Sequence, residues 1–128
     1  MSKELHHIFK AIKEHRLEQI KAAIKNDQSL VNLKDDKGYT ALIVAAETGT
    51  TGIIDYLLKH GAHINYQVPP HLYTPLIIAV RAGRKDLVKY LLDSGADANS
   101  ADAQGKTALW HAQEHKQQDI INLLKPAA

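Results

Sequence analysis

The apolar positions of this chain fall into short blocks that return at a nearly fixed distance. Tyr39-Thr40-Ala41-Leu42-Ile43-Val44-Ala45-Ala46-Glu47-Thr48-Gly49 comes back as Tyr73-Thr74-Pro75-Leu76-Ile77-Ile78-Ala79-Val80-Arg81-Ala82-Gly83. The opening returns once more as Lys106-Thr107-Ala108-Leu109. Thr74 follows Thr40 by 34 residues, and Thr107 follows Thr74 by 33. Each full block is followed by a second apolar stripe at helical spacing: Ile53, Ile54, Leu57 and Leu58, then Leu87, Val88, Leu91 and Leu92. Units of this period cannot bury a core alone and must lean on neighbours, so the pattern predicts an all-α solenoid of helix pairs.

The residues between the stripes predict where each helix starts and stops. Thr40, Thr74 and Thr107 stand where a helix begins, with hydroxyls able to accept from backbone N–H groups that lack a partner in the first turn. Pro75 follows at the first helical position, where its missing N–H costs nothing. Leu42, Val44 and Ala45 supply a buried face, with small alanines allowing close approach. Gly49 and Gly83 are expected to end the first helices in a left-handed conformation, and Gly61 and Gly95 the second helices. Asn65 and Asn99 are expected to satisfy loop backbone groups between units.

These residues together resemble the ankyrin repeat, whose signature T-P-L-H-x-A is followed by a glycine, a second helix ending in Leu-Leu, and Gly-Ala-x-x-Asn. The second half stands here as Leu57-Leu58-Lys59-His60-Gly61-Ala62-His63-Ile64-Asn65 and as Leu91-Leu92-Asp93-Ser94-Gly95-Ala96-Asp97-Ala98-Asn99. The resemblance implies one ankyrin domain over residues 1–128: helix-turn-helix units joined by β-hairpin-like loops, with repeats near 1–34, 35–67, 68–101 and 102–128. The first repeat keeps Ile8, Ala11, Ile12, Leu17, Ile20 and Ile24, and places Lys10 and Lys13 where a polar outer cap belongs. Its turn from Asn26 to Asn32 resembles a variant entry used in place of Gly-Ala. The last repeat has Gln113 and Lys116 where the one before it has Val80 and Gly83, so both ends read as caps of a complete array. Pro69-Pro70-His71-Leu72 is the exception among the loops; it is stiff, and the pair forbids a regular turn. Such departures argue for a natural sequence, similar to small free-standing bacterial ankyrin chains that serve as adaptors or as inhibitors of a cognate enzyme.

Composition narrows the chemistry. There is no cysteine, which excludes disulfide frameworks, thiolate metal sites and cysteine nucleophiles. A net charge of +2 with eight histidines is too mild a bias to argue by itself for nucleic acid or membrane. No run approaches the roughly 20 apolar residues that span a bilayer. The first residues lack the apolar stretch of a signal peptide; a cytoplasmic location is expected, or a periplasmic or secreted one if such a peptide has been removed.

In ankyrin arrays the binding surface is usually the concave face, made of loop tips and the exposed side of the first helices. Carried over by position, this selects Asp36, Lys37, Tyr39, Glu47 and Thr48, then Pro70, His71, Tyr73 and Arg81, then Gln104, Lys106, Trp110, Glu114 and His115. Tyr39 and Tyr73 hold equivalent places and are expected side by side, making an aromatic and cationic patch with Trp110, Arg81 and His71, the composition of interface hot spots. Trp110 fills the slot of Ile43 and Ile77, so it is read either as part of a buried ladder or as a contact residue. The expected partner is a folded protein met across about 800 Å² a side, the chain being monomeric alone.

Two other readings are open to these residues. Lys10, Lys13, Arg16, Lys21 and Lys25, with Arg81, Arg84, Lys85 and Lys89, give basic helix faces of a kind that nucleic acid uses. Glu14, Glu18 and Asp86 interrupt them, which favours ordinary solvated faces. His111-Ala112-Gln113-Glu114-His115 has H-x-x-E-H spacing, but a zinc hydrolase needs a further ligand and His111 falls in a slot expected to be partly buried. No serine elbow or phosphate loop is present. The chain is therefore read as a non-enzyme with no cofactor.

Overall fold

The computed structural model of this protein describes residues 2–125. Eight α-helices are found among them, divided between two compact units, residues 1–63 and 64–128. The first unit holds α1 (Lys3–Lys13), α2 (Leu17–Asn26), a 3-10 turn (Gln28–Val31), α3 (Ala41–Thr48) and α4 (Thr51–Lys59). The second holds α5 (Pro75–Arg81), α6 (Lys85–Asp93), α7 (Ala108–Glu114) and α8 (Gln118–Leu124).

The apolar stripes build each core. In the first unit α1 packs on α2 and α3, and α4 on α2 and α3. Leu5, Ile8, Ile12, Ile20, Ile24, Leu42, Ile43, Ile53, Ile54 and Leu57 are fully enclosed. Leu17, expected in this core, is only half-buried. In the second unit α5 packs on α6 and α7, and α8 on α6 and α7, enclosing Leu76, Ile77, Leu87, Val88 and Leu91. Burying each such side chain contributes about 1.5–3 kcal/mol, which is what holds helices of seven to eleven residues that would melt in isolation.

The threonines cap as expected. Thr40, Thr74 and Thr107 accept from the N–H groups of Ile43, Ile77 and Trp110 at 3.4, 3.1 and 3.3 Å. Thr40 and Thr74 are buried, so no water can replace these bonds. Pro75 sits in the first turn of α5. Asn65 Oδ1 accepts from Asp97 N at 2.9 Å. Asn32 plays the same part in the first unit, accepting from His63 N and donating to Gly61 O.

Helix ends follow two designs, and one corrects the sequence reading. After α5, Gly83 is left-handed (φ 70°); Gly83 N donates to Val80 O and Arg84 N to Ala79 O. His15 and Lys116 take the same conformation after α1 and α7, with the same pair of backbone bonds, although neither is glycine. Gly61 and Gly95 end α4 and α6 likewise. Gly49 does not. Its φ and ψ are −83° and 173°, an extended backbone open to any residue. Glycine is needed there for space, because an added Cβ would lie 3.0 Å from Cα, Cβ and O of Ala45. Thr50 then starts α4 by accepting from Ile53 N at 3.2 Å, a side-chain cap that α2, α6 and α8 lack.

Candidate functional site

The loops that precede the first helices carry the candidate residues, and an aspartate shapes two of them. In the loop before α3, Asp35 Oδ1 accepts from Lys37 N and Tyr39 N, both at 2.9 Å, while Asp35 N donates to Tyr39 O. The loop before α7 repeats this with Asp102: Oδ1 accepts from Gln104 N and Lys106 N, and Asp102 N donates to Lys106 O. Before α5 the corresponding residue is Val68, which has no carboxylate. The Pro69-Pro70 loop nevertheless closes, through an isolated bridge in which Val68 N donates to Tyr73 O at 2.9 Å. It does so with Leu72 left-handed, an irregular turn as Pro-Pro demands. Gln67 Nε2 supplies the missing ties, donating to Leu72 O and Ala101 O at 2.9 and 2.7 Å, and Ala103 N donates to His71 O.

Within the second unit these ties gather five of the residues selected from sequence. The His71 and Tyr73 rings stack with centroids 5.1 Å apart and 22° between planes. Arg81 lies over the Tyr73 ring, its Cζ 4.7 Å from the centroid. Lys106 Nζ lies 4.8 Å from the centroid of Trp110. Trp110 is 37% exposed where Ile43 and Ile77 are enclosed, so it belongs to the surface and not to a buried ladder.

His111 is the hub of this cluster, and sequence reasoning missed its role. It is buried, meets Tyr73 and Trp110 edge to face, and places Nε2 2.8 Å from Asp102 Oδ2. Arg81 Nη1 stands 3.4 Å from His111 Nδ1. Arginine can only donate, so Nδ1 accepts and the imidazole proton sits on Nε2, facing the carboxylate. Burial pushes the Asp102 carboxyl up, but the hydrogen bonds from Lys106 N, His111 and Gln104 N outweigh it and hold the group below its ordinary value. A signal for this pair was present: Asp-x-x-Gly occurs at Asp35–Gly38 and again at Asp102–Gly105.

The remaining candidates are more dispersed. Pro70, Gln104, Glu114 and His115 are exposed, in the loops or at the end of α7. In the first unit, Lys37, Tyr39 and Glu47 line a depression of about 320 Å³ with Phe9, Lys13 and Val44. Partial burial, then Glu47 and Asp35, push the Tyr39 hydroxyl above its usual value. Burial raises Glu47 against the opposing pull of Lys13. Asp36 and Thr48 are exposed beside it, and Thr48 O lies 2.6 Å from His15 Nε2.

The two weaker readings find little support in this geometry. His111 is committed to Asp102 while His115 is exposed, and the described residues gather no metal-binding group of three or more His, Asp or Glu. Several of the basic residues face acids: Arg16 pairs with Glu14, Lys21 with Glu18, Lys85 with Asp119 and Lys89 with Asp93. No helix among the described residues is long and apolar enough to cross a membrane.

Comparison with known proteins agrees with the helix pairs. A family model described as "Ankyrin repeats (3 copies)" matches residues 3–68 and 66–128. A segment of 42 residues, 33% of this chain, is 43% identical to Delta-latroinsectotoxin-Lt1a of Latrodectus tredecimguttatus and covers 4% of that protein. A segment of the same length is 45% identical to BCL-6 corepressor-like protein 1 of Homo sapiens, covering 2% of it. The matched segment is thus a small fraction of the length of these curated relatives.

Proposed function

Since the chain belongs to the ankyrin repeat family, a protein–protein interaction module, we propose that it binds a folded partner through the loop and first-helix face of its second unit. The contact residues are His71, Tyr73, Arg81, Lys106 and Trp110. The observation that carries this reading is the fixed cluster around His111. Exposed aromatic and arginine side chains are the residue types that dominate interface energies, and ones already held in place lose less entropy on binding. Asp102, Gln67 and the backbone bond from Ala103 to His71 hold the loops before any partner arrives.

The role is that of a non-enzymatic binder, acting as an adaptor or as an inhibitor of a cognate enzyme. The polar chemistry of the cluster suits it: the buried Asp102–His111 pair is engaged in holding the loop before α7 and the helix that follows. Affinity capture from native lysate tests the reading. Proteins retained by the wild-type chain and lost with the Tyr73→Ala/Trp110→Ala double variant, itself remaining folded, support it. Identical capture by the double variant places binding on another face.

A further inference from the structure

Arg81 and Lys106 hold positive charge against aromatic rings with no acid beside them. Among the described residues no carboxylate stands within ion-pair distance of either, whereas Lys85 and Lys89 in the same unit each face an aspartate. The one acid in the cluster, Asp102, is buried and fully engaged by Gln104 N, Lys106 N and His111. A cation–π contact leaves the outward side of the guanidinium free to donate. Tyr73 below and His111 Nδ1 at its edge fix where Arg81 can point. His71, stacked on Tyr73, adds two ring nitrogens to the same rim.

Resting on the function proposed above, we propose that this rim selects an acidic segment of the partner protein, whose side-chain carboxylates pair with Arg81 first and with Lys106 second. An arginine held flat suits a carboxylate with two parallel bonds. Nucleic acid is the poorer fit, because Lys85 and Lys89 on the same unit are already paired with Asp119 and Asp93 and are less available to a long run of phosphates. The neutral tautomer of His111 matters as well: its lone pair accepts from Arg81 and so keeps the guanidinium oriented.

Trp110 is the single tryptophan of the chain and reports directly on the site. The full chain is titrated with a glutamate-rich synthetic peptide, with its glutamine counterpart, and with a short DNA duplex, following Trp110 emission and heat of binding. A saturable response to the glutamate peptide alone is expected, weakening as salt rises. Arg81→Gln should bind about tenfold more weakly and Lys106→Gln several-fold, with Arg81→Lys between wild type and Arg81→Gln. Lys25→Gln, on an exposed face of the first unit, should match wild type. Equal binding of the glutamine peptide, tighter binding of DNA, an unchanged Arg81→Gln, or no response to any ligand overturns the proposal. Such a failure is separable from failure of the binding face itself. A captured partner that needs Tyr73 and Trp110 but tolerates Arg81→Gln would leave the face in place and remove only the acidic preference.

Discussion

His111 Nε2 stands 2.8 Å from Asp102 Oδ2, nine residues back along the chain, while the other oxygen of that carboxylate accepts from Gln104 N and Lys106 N. One side chain thereby closes a loop and pins the helix that follows it. Asp35 in the first unit performs the first of these tasks only, for the position nine residues on is Val44. The two loops are alike in backbone and unlike in what depends on them.

Asp102→Ala should therefore cost about 2–3 kcal/mol of stability, since it strands a buried imidazole N–H and two loop N–H groups. Asp35→Ala, which strands only loop groups near water, should cost about 1 kcal/mol. Urea unfolding of the two variants checks the ranking. Equal losses would mean the bond to His111 contributes nothing.

The same carboxylate gives acid sensitivity with a definite sign. Its folded value lies below its unfolded one, so its contribution is present above about pH 4 and is lost as pH falls through the folded value. Glu47 acts in the opposite sense, because its value is raised by burial: its contribution is present at low pH and fades as pH rises. Unfolding free energies measured between pH 6 and 3 should fall more steeply for wild type than for Asp102→Asn. Parallel curves would contradict this.

Two kinds of glycine should respond differently to substitution. Lys116→Gly should stabilise by about 1 kcal/mol, because it relieves a left-handed lysine at a helix end, and Gly83→Ala should destabilise by a similar amount. Gly49→Ala is expected to cost about 1–3 kcal/mol for another reason, the contact of its new methyl with the Ala45 backbone. Replacing that neighbour's methyl as well, in Gly49→Ala/Ala45→Gly, should not restore it fully, since backbone atoms of residue 45 remain 3.0 Å away. Thermal melts of the four variants are sufficient to test these signs.

Most of the fold was legible because its determinants are local. A threonine at a helix start or a glycine after its end acts on backbone groups three to six residues away, and the repeat displays each rule more than once. Gly49 shows the limit: its place in the repeat suggested a left-handed turn, but Thr50 offers another way to begin the next helix, and what forbids a side chain is packing. The surface positions of Tyr73, Arg81 and Lys106 followed from register, whereas register put Trp110 in the slot of the enclosed Ile43 and Ile77 and left its exposure open. The role of His111 did not, because its partner lies in a loop, beyond the reach of helical spacing. The H-x-x-E-H spacing with Glu114 and His115 drew attention to a metal reading, which the sequence itself disfavoured. The bonds that Gln67 makes where Val68 replaces the loop aspartate were hidden for another reason: they have no counterpart in the other two loops, so no repeat of the sequence displays them.

Binding through the second unit is tested most directly by calorimetry on a captured partner with wild-type protein and the Tyr73→Ala/Trp110→Ala variant, after matching melts show that both are folded. Loss of two anchoring aromatics should weaken affinity by about 30-fold or more, roughly 2 kcal/mol. Undiminished affinity in the folded double variant would contradict the account.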